Sequence, residues 1–142
     1  MPRCIRPIET VTLSDIVDGM QRVFRTRHFT RRMRKTGLVD AALLAAVEEM
    51  VRGLIDADLG GGVVKKRVAL PGRGKRGSAR TIVATNKGNR WFFVYGYEKS
   101  EQANISAIEL EALQAIASDL LRMTVAELDH AVECGELQEI QP

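Results

Sequence analysis

Lys65, Lys66 and Arg67 stand side by side in a β-prone stretch, residues 63–70, and no Asp or Glu occurs from position 61 to position 97. Strand side chains alternate between faces, so Lys65 and Arg67 share one face while Lys66 turns to the other with Val64, Val68 and Leu70. Arg80, on the next β-prone stretch, would join the first pair. Three cations on one sheet face suit a phosphodiester under attack, because the phosphorane gathers negative charge that fixed ammonium and guanidinium groups stabilise. The same cations would also discourage edge pairing of an exposed strand. Residue type and spacing leave both uses open.

Two further groups could meet a polyanion. Residues 71–77 read Pro-Gly-Arg-Gly-Lys-Arg-Gly, with a literal G-x-G-x-x-G at Gly72, Gly74 and Gly77. A dinucleotide site needs a strand before that motif and a helix after it. Here another strand-like stretch follows, and Ser78 stands where a phosphate-loop lysine would be. What remains is a loop that offers Arg73, Lys75 and Arg76 to a phosphate backbone or serves as a plain connector. Farther on, Tyr95, Tyr97 and Lys99 alternate onto one face. Tyrosines beside cations stack bases in single-strand binders, although with Trp91 and Phe93 they equally suit a core.

Other chemistry is nearly excluded. The only histidines, His28 and His130, lie far apart, as do the only cysteines, Cys4 and Cys134. Neither pair has zinc-ligand spacing, and neither supplies a Ser/Cys–His triad. No metal and no cofactor is expected.

The formal net charge of +3 conceals a polar division. Residues 1–99 hold 20 Lys/Arg against nine Asp/Glu, whereas residues 100–142 hold one, Arg122, against nine. Arg22 to Lys35 carries seven cations and no acid. A run of like charge repels itself unless a polyanion is its partner, which points to nucleic acid.

These groups must be held by elements, and periodicity supplies them. A short strand is predicted from Arg22, then a helix over 27–35 capped by Thr26 and stopped at Gly37. A longer helix follows, capped by Asp40, with Leu43, Leu44, Val47, Met50, Val51, Leu54 and Ile55 at helical spacing and Gly60-Gly61-Gly62 as its break. Strands are predicted at 63–70, 79–86 and 90–97, the last two joined by Asn86-Lys87-Gly88-Asn89 and the last one central. Ser106-x-x-Glu109 and Thr124-x-x-Glu127 are capping boxes opening two helices, the second ending at Gly135. Residues 137–140 read as a final strand. The order gives a small α+β domain with one twisted, mainly antiparallel sheet packed against helices.

With 142 residues, 45% apolar and 27% charged, the chain fits one domain with a buried core. No apolar run approaches a membrane span and no signal peptide is evident, so a cytoplasmic protein is expected. The first 21 residues share neither the charge pattern nor the periodicity. They read as an extension, either poorly ordered or the product of an upstream start with Met20 as the working one; the domain proper is 22–142.

Three strings together carry a family resemblance: Asp56-Ala-Asp-Leu-Gly-Gly-Gly-Val-Val-Lys-Lys-Arg-Val, then Leu70-Pro-Gly-Arg-Gly-Lys-Arg-Gly with Arg80-Thr, then Phe92-Phe-Val-Tyr-Gly-Tyr-Glu-Lys-Ser-Glu-Gln-Ala-Asn-Ile. From about residue 22 to 140 the chain resembles the RelE/ParE superfamily of bacterial type II toxins, and its last string resembles the HigB-like branch. The resemblance implies a toxin that cleaves mRNA on the ribosome by attack of a ribose 2′-OH on the adjacent phosphate. It implies a cognate antitoxin, one with a helix-turn-helix, as partner. The family's two alternating cations fall on Lys65 and Arg67, its next-strand arginine on Arg80, and its later cation on Lys99. Lys66, Arg73, Lys75, Arg76, Tyr95 and Tyr97 are the expected RNA contacts. The chain departs from the family at Ile105, where a tyrosine is expected. A lysine serves as base only when neighbouring cations or burial depress its pKa, and Lys65 has cationic neighbours.

Two other functions suit the same composition: a ParE-like inhibitor of DNA gyrase, which would not need the Lys65/Arg67/Arg80 set, and an RNA-binding module without catalysis. Because pattern and resemblance both begin near Arg22, a chain starting at Met20 is expected to fold and to arrest growth. Soluble expression without arrest would show that the extension is required.

Overall fold

The β-branched and aromatic stretch at 90–98 becomes an interior strand, as its composition demands. The computed structural model describes residues 21–72 and 77–141. Its strands are β1 (Arg22–Thr26), β2 (Ala57–Gly60), β3 (Val63–Ala69), β4 (Ser78–Thr85), β5 (Arg90–Glu98) and β6 (Leu137–Glu139). Its helices are α1 (Arg27–Met33), continued by a 3₁₀ turn (Arg34–Thr36), then α2 (Asp40–Val51), α3 (Ala107–Leu121) and α4 (Val125–Glu133). The six strands form one sheet in the order β2-β3-β4-β5-β1-β6. β1 runs parallel to β5, and the other neighbours are antiparallel. The fold is α+β, with helices on both faces. On one face Phe29, Met33, Leu43 and Val47 from α1 and α2 pack on Val64, Val83, Trp91 and Phe93. On the other, Leu113, Ala117 and Leu128 from α3 and α4 cover Phe24, Ile82 and Phe92. No helix among the described residues is long and apolar enough to cross a membrane.

Capping follows the spacing. Thr26 Oγ1 accepts from Phe29 N at 3.2 Å. Ser106 and Thr124 each close a full capping box with Glu109 and Glu127. Two predictions around α2 are corrected. Asp40 is the first helical residue, with Val39 at the cap, and its carboxylate pairs with Arg25. The helix stops at Val51 because Gly53, at φ +90°, takes the left-handed conformation. Leu54 N then bonds Glu49 O at 3.0 Å and Gly53 N bonds Met50 O at 2.9 Å, a Schellman ending. The glycine triplet that reads as a helix break is the turn of the β2–β3 hairpin. β2 was not foreseen, since Ala57-Asp58-Leu59-Gly60 has no β-branched residue and pairs only because the edge of β3 is free.

The cation-only run from Arg22 finds much of its counter-charge inside the chain. Arg22 Nη2 lies 2.8 Å from Asp129 Oδ1 and 2.9 Å from Glu139 Oε1, while Nε donates to Glu139 Oε2 at 2.9 Å. The hydrogen bond to Glu139 outweighs the burial that opposes charge, Asp129 adds to it, and the Arg22 pKa is raised. Arg32 pairs with Glu101, and Arg27 donates to the carbonyls of Cys134 and Gly135 at the C-terminal end of α4, where the helix dipole favours a cation. The expectation that the whole run faces an external polyanion is corrected. Arg31, Arg34 and Lys35 are its exposed members without an ion pair among the described residues.

The Arg22 clamp ties β1 to α4 and β6 while still partly open to solvent. Its loss is expected to cost about 2 kcal/mol, between the values for exposed and fully buried pairs. Arg22→Met should therefore lower the melting temperature by about 5–10 °C in differential scanning calorimetry. An unchanged melting temperature would show that the clamp contributes nothing net.

Candidate active site

Strand register, more than sequence distance, assembles the candidate site. Arg67 of β3 lies opposite Arg80 of β4, which lies opposite Tyr97 of β5. The next row is Lys65, Ile82 and Tyr95. Directly opposed side chains start about 5 Å apart at Cβ. The predicted alternation therefore holds on β3 and β4: Lys65, Arg67 and Arg80 share the face on which α3 packs. Arg67 is exposed, and Lys65 and Arg80 are half-buried.

On β5 strict alternation fails. Ile82 pairs with Tyr95 but Val83 pairs with Phe93, so Val94 is an extra residue. This β-bulge shifts the phase of everything after it. Without it, Tyr95 and Tyr97 would point with Trp91 and Phe93 into the α1/α2 core. With it, they join the face of the cations.

Charge in the row is not neutralised. Among the described residues, Lys65, Arg67 and Arg80 make no ion pair. The nearby Asp56 carboxylate is taken by a backbone group, accepting from Arg67 N at 2.6 Å. Like charges opposed across strands are unfavourable, and an arriving anion would relieve that repulsion.

The other expected site residues divide. Lys66 is corrected: it is buried on the opposite face, where Nζ sits 3.0 Å from Glu49 Oε1 and donates to Leu54 O at 2.9 Å, so it is not available to RNA. Tyr97 is corrected as a stacking surface, because it is fully buried. Its hydroxyl has no hydrogen-bond partner among the described residues, and burial pushes its pKa up against the opposing effect of Arg80. Tyr95 is half-buried beneath the Arg32 guanidinium, 4.5 Å from the ring centroid, with His28 stacked beside it at 6.0 Å. Burial raises its pKa as well, with Arg32 opposing. Its hydroxyl lies 2.9 Å from Gln102 Oε1 and 3.3 Å from Glu109 Oε2. The Glu109 carboxyl is held below its usual range, chiefly by the Ser106 backbone N–H. Beyond Tyr95, an apolar cleft of about 340 Å³ opens under α3 between His28, Val94, Leu113 and Ile116. Lys99 is exposed one residue past the end of β5. Arg73, Lys75 and Arg76 lie outside the described residues, as do residues 1–20 of the extension.

Sequence reading missed Arg32, Gln102 and Asn104. Arg32 is hidden among six other cations in one run, and the two amides lie in the string that carries the resemblance without any spacing that marks their contacts. All three gain meaning only through contacts across the fold.

A family model described as RelE toxin of RelE / RelB toxin-antitoxin system matches residues 21–140. No match was found among curated proteins.

An unpartnered buried hydroxyl is costly, by about 1–3 kcal/mol. Tyr97→Phe is therefore expected to melt at the same temperature as the parent or higher. A lower melting temperature would mean that the hydroxyl has a partner in solution.

Proposed function

This chain belongs to the RelE toxin family, as the toxin of a toxin–antitoxin system with a cognate antitoxin, and we propose that it is an mRNA endoribonuclease acting on the ribosome. The observation that carries the reading is the unneutralised row of Arg67 and Arg80 with Lys65 beside it, in a chain that pairs Arg22, Arg25 and Arg32 internally. The similarity of residues 92–105 to the HigB-like branch and a helix-turn-helix in the antitoxin belong to the same proposal.

The chemistry follows from the groups available. The ribose 2′-oxygen attacks the adjacent phosphorus as its proton passes to a base, and the 5′-oxygen leaves as an alcohol by taking a proton from the protonated base or from water. The products are a 2′,3′-cyclic phosphate and a 5′-hydroxyl end. Arg67 and Arg80 stay charged and stabilise the phosphorane. Lys65, beside them, is the candidate base for the 2′-OH proton. Lys99, just past β5, would add charge at the rim. Arg73, Lys75 and Arg76 would hold the RNA backbone, and Tyr95 would meet a base. With no histidine or carboxylate in the row, acid–base capacity is poor. The ribosome compensates by presenting the 2′-OH in line with its phosphate, a positioning effect that can exceed acid–base assistance. Arg31, Arg34 and Lys35 would dock on ribosomal RNA, with affinity that falls steeply with salt.

Lys65→Ala, Arg67→Ala and Arg80→Ala should each lose growth arrest, with cleavage down about 10²- to 10³-fold and melting unchanged. Lys66→Ala should lower the melting temperature instead. Mapping 5′ ends of cellular RNA after induction, and comparing one mRNA free and on programmed ribosomes, tests the reading. New 5′-hydroxyl ends confined to translated mRNA support it. Arrest without new ends, with gyrase inhibited, would favour the ParE-like function; RNA bound but uncut would leave a binding module. Rapid cleavage of the free RNA would refute ribosome dependence.

A further inference from the structure

The loop between β5 and α3, residues 99–106, is braced by polar contacts that converge on Lys65. Arg32 Nε donates to Gly96 O, and its Nη2 lies 3.4 Å from Gln102 Oε1. The Tyr95 hydroxyl donates to that same oxygen at 2.9 Å. Gln102 Nε2 donates in turn to the Asn104 carbonyl at 3.0 Å. The Asn104 carboxamide oxygen accepts from Ile105 N at 2.9 Å and from Lys65 Nζ at 3.3 Å. The chain of contacts thus runs from α1, through the bulged end of β5, to the ammonium of β3.

We propose that Asn104 is a positioning residue for Lys65, its carboxamide oxygen fixing the ammonium beside Arg67 and Arg80 without neutralising it. This inference rests on the reading of the cationic row as the cleavage site. A lysine carries its charge on a flexible four-carbon stem. Left alone beside two guanidinium groups, the ammonium would swing away toward water. An anionic partner would hold it but cancel its charge. Lys66 shows that arrangement on the other face, fixed by Glu49. An amide oxygen takes one N–H and leaves two donors and the full charge. Asn104 can do this because its own position is fixed from both sides, through its backbone by Gln102 and through its side chain by Ile105 N. Ile105, the position where a tyrosine was expected, turns its side chain to the α3/α4 core. The loop therefore presents the neighbouring amide to the cations instead.

The test is a double-mutant cycle on the full chain, reading single-turnover cleavage on saturating programmed ribosomes. Asn104→Ala should slow cleavage about 10- to 100-fold while affinity for the ribosome changes by less than about threefold. In a Lys65→Ala background the same change should add nothing, because Asn104 acts through Lys65. Asn104→Ser, too short to reach the ammonium, should behave like Asn104→Ala, and melting temperatures check that both fold. Full activity in both variants, or an equal loss with and without Lys65, would overturn the proposal and leave Asn104 a loop residue. An inactive parent chain, or Lys65→Ala cleaving as fast as the parent, would instead overturn the reading beneath it. A readout independent of cleavage separates the two failures. The Lys65 ε-methylene protons should give two resolved NMR shifts in the parent and one averaged shift in Asn104→Ala. Averaging already present in the parent would refute the fixed ammonium whatever the activity.

Discussion

Charge matched along the length of the chain is the constraint on which the remaining structure depends. Three of the nine acids after residue 100 pair with arginines of the first strand and helix. Arg22 reaches Asp129 and Glu139, and Arg32 reaches Glu101. That matching seats β1 between β5 and β6 and holds the last helix and strand against the sheet. It also decides, by exclusion, where charge is left over. Lys65, Arg67 and Arg80 lie on β3 and β4, on the face that α3 covers, and among the described residues no carboxylate forms an ion pair with them. A surface count of cations would rank the Arg22–Lys35 run first; the pairing ranks it below the shorter row.

Much of the fold was legible because it rests on local rules. Thr26, Ser106 and Thr124 cap their helices by a side chain reaching three residues ahead. Gly135 ends α4 by its left-handed conformation. Where reading failed, a tertiary partner supplied what the sequence lacked. Apolar residues continue at helical spacing past Val51, yet Gly53 ends the helix and the chain swings to the edge of β3. β2 exists only because that edge accepts it. The parallel pairing of β1 with β5 was likewise invisible, since register between distant strands leaves no local trace.

The site shows the same division at finer grain. Alternation correctly grouped Lys65 with Arg67 and set Lys66 among apolar neighbours, which made its burial readable even though its charge suggested RNA. The tyrosines needed the bulge. A single extra residue, Val94, carries no signature, yet it moves Tyr95 and Tyr97 to the other side of the sheet. Asn104 lay within a string that carried the resemblance, yet its contact was illegible, because its partner is 39 positions away.

The long reach of the Arg22 clamp has a consequence in time. Arg22 meets Glu139 across 117 positions, while the β3–β4–β5 hairpins close over short loops. Contacts of high sequence separation form late, because a long loop must close first. During synthesis the hairpins carrying Lys65, Arg67 and Arg80 can pair well before the acids of the last strand leave the exit tunnel. Until then Arg22 lacks Asp129 and Glu139, Arg27 lacks the carbonyls at the end of α4, and the nascent chain is a strongly basic half-sheet. The order of emergence thus gives the chain two successive electrostatic identities: first an indiscriminate polycation, then a folded domain in which the arginines of β1 are matched by its own acids.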